Sequence, residues 1–306
     1  MSVRRQPTTP KQNYVNEQSK LNSVTQEESR VLNPQNIFRF FKYSIYILLT
    51  YDGLLFFYGD LAASAVTFGD TITWRNVIEA YSATFDTMAW VALLLLFELE
   101  TAIIPDHLLK GWLKWVLKGL SGICYFFIIY SFYGYIYKYG VVADLVPLKI
   151  DDICSLIGTN FTYVLTLDEY LPLDQAVCTA MNGLPVMQVN GTEIIGVEPA
   201  MGDAIALAVI DIVNAGAWLV VVVLLELEVY LQLKDKLTSR MMFTLKYTKG
   251  FFYAILLYCA IYWGVKSTFL DGWDAFLWLV AFVFIELNIF QWHSESEEER
   301  EHVMKV

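Results

Sequence analysis

The hydrophobic positions of this chain gather into six runs separated by polar connections of unequal length. The runs cover Phe40–Tyr58, Thr84–Ile104, Leu120–Tyr137, Ala206–Leu231, Phe251–Val265 and Ala275–Trp292. Most approach the ~20 apolar residues that a helix needs to cross a bilayer. The fifth is short, and its inner end extends back through Phe243 and Leu245. The expected fold is therefore an all-α, polytopic membrane protein with six transmembrane helices.

One pattern recurs along the even-numbered runs. In the second, Asp86 is followed four residues on by Trp90, then by seven apolar residues and Glu98-Leu99-Glu100. The fourth repeats this as Asn214, Trp218 and Glu226-Leu227-Glu228, and the sixth as Asp274, Trp278 and Glu286-Leu287-Asn288. The spacing is the same in all three copies. Each even run follows a Tyr-rich odd run that opens on a lysine: Lys42, Lys118 and Lys249. The repeat unit is thus a two-helix hairpin, and three such hairpins predict a six-helix bundle with approximate threefold symmetry. Mitochondrial carriers also use three hairpins, but their Pro-x-Asp/Glu-x-x-Lys/Arg signature is absent, and no family relationship is read from the arrangement.

Lys and Arg set the orientation, because they concentrate in short cytoplasmic flanks. They fall before the first run (Arg4, Arg5, Lys11, Lys20, Arg30, Arg39, Lys42), between the second and third (Lys110, Lys114, Lys118), and between the fourth and fifth (Lys234, Lys236, Arg240, Lys246, Lys249). The opposite connections are rich in Asp and Glu. Both termini are expected in the cytoplasm of a cell bearing this protein in its inner or plasma membrane. The chain then divides into a polar, disordered tail (1–36), a first hairpin with an interfacial helix and the third span (37–140), an extracytoplasmic loop subdomain (141–203), spans four to six (204–293) and an acidic tail (294–306). Arg4-Arg5 lacks the adjoining apolar region of an export signal. The interfacial helix is read from His107 to Lys118, where Lys110, Lys114 and Lys118 form one stripe and Leu and Trp fill the rest.

On this topology Cys154 and Cys178 face an oxidising compartment and are expected to form a disulfide. Cys124 and Cys259 fall inside spans, and no CxxC is present to signal zinc or dithiol chemistry. Asn190-Gly191, flanked by weak alternation from Val186 to Ile195, predicts a hairpin, since a type I′ turn needs positive φ at both centres. Asn160-Phe-Thr162 and Asn190-Gly-Thr192 match the glycosylation sequon, which has meaning only in a eukaryotic secretory route.

Composition agrees with this picture and narrows the function. The 306 residues are 56% hydrophobic and 17% charged, with mean hydropathy +0.45, and the formal net charge of -11 argues against nucleic acid. No phosphate loop, nucleophile elbow or HExxH is present, so no enzyme activity and no cofactor is expected. His107 and His293 sit near glutamates, but the second repeat has lysine there, which favours ordinary interfacial histidines. Whether a metal binds stays open.

The acidic positions carry the candidate chemistry. Eight residues separate each Trp from its Glu, roughly 12 Å of helix. If the Trp marks the outer interface, Glu98, Glu226 and Glu286 fall near the middle of a hydrocarbon core about 30 Å thick, where a charge costs at least ~2.5 kcal/mol. Two residues further is a rotation of about 200°, so Glu100, Glu228 and Asn288 face elsewhere. In the functional reading these side chains line a cation or proton path, with Asp86, Asn214 and Asp274 at its outer mouth and Asp52 and Asp211 adding to a polar interior. In the packing reading each Glu pairs with a Lys or Tyr of an odd helix. The leading function is then a cation or proton channel or transporter. Its rival is a non-transporting subunit or scaffold that packs on partner proteins or on copies of itself.

Overall fold

The computed structural model describes residues 34–67, 77–104, 111–150, 152–234 and 238–284. The chain divides into two units, residues 1–47 and 48–306. The described part of the first is the opening of helix α1 (Pro34–Thr67), where Lys42 Nζ stands 5.1 Å from the centroid of the Tyr43 ring. The polar tail expected over 1–36 lies outside the described residues up to position 33, as does all of the acidic tail.

The second unit is mainly helical. After α1 come α2 (Val77–Ala80), α3 (Ser82–Glu98), α4 (Trp112–Ala143), α5 (Gln175–Met181), α6 (Glu198–Leu233), α7 (Ser239–Lys266) and α8 over 269–284. Among the described residues, α1, α4, α6 and α7 are long and apolar enough to cross a membrane. α3 packs on α4, α4 on α6 and α6 on α7. α3 ends in a π-helical turn, Leu99–Ile103, closed by the Ile104 N–H on the Leu99 carbonyl at 2.9 Å. At the corner between α7 and α8 the backbones nearly touch: a Cβ on Gly272 would stand 2.9 Å from Gly264 Cα. Small residues permit this approach.

The helices outrun the apolar windows because their polar ends stay helical. α6 has 36 residues, or about 54 Å at 1.5 Å each, well beyond the ~30 Å core. Its first turns, Met201 and Ala204, pack against the sheet of the loop subdomain. The stretch expected as a separate interfacial helix is continuous with the third span where it is described. Trp112 opens α4 directly, Lys114 and Lys118 ride on its first turns, and Trp112 and Trp115 are about three-quarters exposed (75% and 77%). His107 and Lys110 lie outside the described residues.

The subdomain makes the chain mainly, not wholly, α. Strands β1 (Leu145–Pro147), β2 (Thr162–Val164), β3 (Tyr170–Pro172), β4 (Val186–Val189) and β5 (Ile194–Val197) form one sheet in the order β1-β4-β5-β2-β3. Strands of three or four residues are too short for alternation to register in a sequence, and only the β4–β5 hairpin was legible. Its connection is longer than the two-residue loop expected from Asn-Gly. Gln188 pairs with Ile195, and the turn closes by Thr192 N–H on the Val189 carbonyl at 3.1 Å, with Gly191 at φ +76°. The Thr192 hydroxyl also donates to Val189 and accepts from Ile194 N–H, which supports the longer loop.

One face of the sheet and α5 bury Ile153, Leu173, Met181, Val186 and Ile195. Within that core a disulfide joins Cys154 to Cys178, tying the 3₁₀ turn Ile153–Leu156 to α5. Closing a loop with a sequence separation of 24 stabilises so small a unit by about 3.5 kcal/mol in the chain-entropy model. The subdomain is anchored at both ends, since α4 runs into β1 through Asp144 and β5 runs into α6 without a linker. Asn190 secures the first junction by donating its backbone N–H to the Asp144 carbonyl and its side-chain amide to the Asp144 carboxylate (2.8 and 3.0 Å).

Candidate functional site: an acidic cavity walled by tryptophan

A cavity of about 310 Å³ lies among the helices where the bundle meets the subdomain. Asp86, Asn214 and Asp274 all line it, and so do Trp90, Trp218 and Trp278. The polar residue and the tryptophan of every repeat copy therefore meet at one place.

Helix geometry explains the spacing. Residues i and i+4 are neighbours on a helix surface, and in α3 the Trp90 indole N–H donates to Asp86 Oδ1 at 3.0 Å. In α8 Trp278 stands at the same four-residue offset from Asp274 and its indole interacts with that carboxylate. α3, α6 and α8 all run away from the subdomain, so the Asp or Asn of each copy lies on the subdomain side and the Trp one turn deeper. The indoles cluster: Trp90 is 6.2 Å from Trp218 and 6.4 Å from Trp278, centroid to centroid, and the Phe282 ring lies 4.3 Å from that of Trp218, tilted by 41°.

Asp60, Asp86, Asp211 and Asp271 are held by neutral donors. Asp86 Oδ2 accepts from Tyr135 at 3.2 Å, and Asp211 accepts from the Trp263 indole at 3.1 Å. Asp60 accepts twice from Thr84, through its N–H at 2.9 Å and its hydroxyl at 2.6 Å. Asp271 caps α8: its carboxylate takes the Thr268 N–H while Thr268 Oγ1 takes the Asp271 N–H, a reciprocal capping box. Asp274 Oδ1 is buried without a hydrogen-bond partner, as is Oδ2 of Asp52, a residue only 2% exposed.

Among the described residues the cavity wall carries seven carboxylates and one lysine. The lysine, Lys138, is bonded to Asp168 of the turn between β2 and β3. That turn roofs the cavity. Leu167 is wedged against Leu207 and Ala208 of α6, with Val142 and Trp263 beside it, and Thr166 and Glu169 line the space below. A second ion pair, Lys266 to Asp203 at 3.0 Å, sits where α7 ends beside α6.

The glutamates of the repeat are elsewhere. Glu98, Glu100, Glu226 and Glu228 do not line this cavity. Glu98 is buried (2% exposed) just before the π turn, in which Glu100 is half-exposed. Glu226 is exposed on α6 and accepts a 3.1 Å bond from Tyr125 of α4, while Glu228 pairs with Lys249 of α7 at 2.7 Å. Both are contacts between an even helix and the Tyr or Lys of an odd one. Glu286 and Asn288 lie outside the described residues.

Sequence reasoning missed Lys138, Trp263, Tyr135 and Asp271 as wall residues. Two signals were available. Lys138 and Lys266 are cations on the acid-rich flank, against the charge bias, and both are ion-paired. Thr268-Phe-Leu-Asp271 reads as a capping box that starts α8 earlier than its apolar run does. Compared with protein-family models, curated proteins and solved structures, the chain finds no match.

Proposed function

We propose that this is a membrane transport protein that admits a cation through the acidic cavity. The reading rests chiefly on the meeting of all three Asp/Asn–Trp pairs around that one space. Most of the wall carboxylates are held by neutral donors rather than by cations, which leaves their charge for a ligand, as rings of acidic residues do in cation pathways. The surroundings of the cavity are membrane-like, since four of the flanking helices have the length and hydropathy of spans.

The six-span, pseudo-threefold plan belongs to the same proposal. α3 continues through its π turn to Ile103, giving it the reach of a span, and α8 begins an apolar stretch that the sequence carries to Trp292. With both termini cytoplasmic, as the lysine and arginine bias favours, the subdomain and the roof turn stand outside the membrane. The cavity is then the outer vestibule, and Asp86, Asn214 and Asp274 form its mouth. The glutamates shift in role: Tyr125–Glu226 and Lys249–Glu228 favour helix packing for those two. The same pairs support the rival scaffold reading, but that reading leaves the cavity without a use.

Proteoliposomes holding the full-length protein test the proposal. An imposed membrane potential is expected to drive cation uptake, read by dyes sensitive to protons, sodium and potassium and by radiolabelled organic ammonium ions. No flux of any of these above protein-free vesicles overturns it.

A further inference from the structure

The wall chemistry of the cavity selects among cations. Among the described residues no three of His, Cys, Asp and Glu are grouped so as to hold a metal ion. The carboxylates are dispersed, most already engaged by indole, phenol or hydroxyl donors, and a bare ion stripped of water needs a close cage of oxygens. Instead the deep end is lined by aromatic rings: Trp90, Trp218 and Trp278, with Phe282 against them and Trp263 further up. An indole face attracts an organic cation through its quadrupole, most strongly when the cation is desolvated. Beside those rings Asp274 presents a carboxylate with one oxygen unpartnered. The volume is at the small end of ligand pockets, which run from roughly 300 to 1,000 Å³.

We infer that the cavity binds a small organic ammonium ion, with its alkyl groups against the tryptophans and its charge toward Asp86 and Asp274. This rests on the transport reading for its biological sense but makes a separate claim, the class of ligand. Alkyl ammonium carries weakly held water and an apolar surface, both suited to an indole wall. A sodium ion would exchange a tight hydration shell for indole faces that supply no oxygen. An uncharged molecule of the same shape would leave the field of the acids unused.

Choline serves as the probe, with its uncharged carbon isostere 3,3-dimethyl-1-butanol and sodium chloride as comparisons. The full chain in lipid nanodiscs is titrated while calorimetry and tryptophan fluorescence are followed. Choline is expected to bind and to perturb the emission. The isostere should bind at least about tenfold more weakly, and a tenfold excess of sodium should leave choline affinity unchanged. Asp274→Asn should weaken choline by about tenfold. If that variant does not fold, the wild-type comparison of choline with its isostere decides alone. Equal binding of the isostere, displacement by sodium at equal concentration, or no choline binding overturns the inference. Choline binding without flux would sink the transport reading and leave this one standing; sodium or proton flux without choline binding would do the reverse.

Discussion

Asp86→Asn and Asp274→Asn are expected to cut cation flux in proteoliposomes at least about tenfold each, while Glu226→Gln stays within about twofold of wild type. The Asn at position 86 keeps the carbonyl oxygen that Trp90 donates to, so the shape of the wall survives and the change is one of charge. Two opposite charges 4 Å apart at a protein boundary interact by about 4 kcal/mol, and one factor of ten needs only 1.4. The tenfold figure is therefore a floor. Glu226 is exposed on α6 and bonded to Tyr125, and Gln retains an acceptor for that bond at little cost. Initial uptake rates at matched protein density measure all three. Loss of flux in Glu226→Gln with normal flux in both aspartate variants would return the pathway to the glutamate set.

Lys249→Met is expected to destabilise the protein by about 3 kcal/mol, because it leaves the Glu228 carboxylate without its ion-pair partner in a largely buried place. The two side chains are 8% and 21% exposed and 2.7 Å apart. Adding Glu228→Gln should recover most of that loss, since a neutral amide does not need the ammonium. Thermal unfolding in a single detergent compares the four proteins of the cycle. An unchanged midpoint for Lys249→Met, or no recovery in the double variant, would mean that the pair does not hold α6 to α7.

The sequence made the helices legible because apolar runs are long compared with a helical turn. It underestimated their lengths, since Lys138 at one end of α4 and Asp203 near the start of α6 continue the helix in polar surroundings. The disulfide was readable from topology and cysteine count alone. The sheet was not, apart from the Asn190-Gly191 turn, because three-residue strands paired across sequence gaps leave no period. The Asp/Asn–Trp half of the repeat was visible as spacing, but its meaning required structure: four residues is the reach of an indole N–H to a carboxylate on the same face. The depth expected from the Trp-to-Glu spacing pointed to the glutamates, and depth says nothing about which face a residue occupies. Glu226 faces outward, toward Tyr125, while Asp86, Asn214 and Asp274 face the cavity.

The central claim, that this cavity is a cation-selective vestibule reached from the subdomain side, can be tested at Asn214. In a background with Cys124→Ala and Cys259→Ala, which keeps the Cys154–Cys178 disulfide, Asn214→Cys presents one thiol to the cavity. Its reaction rate is measured in sealed vesicles with a quaternary ammonium thiosulfonate and with a sulfonate reagent of similar size, applied to each side in turn. The account predicts at least about tenfold faster labelling by the cationic reagent, from the subdomain side only, as expected where a cleft lined by one sign of charge concentrates its counter-ions. Equal rates for the two reagents, or faster labelling by the anion, would contradict it.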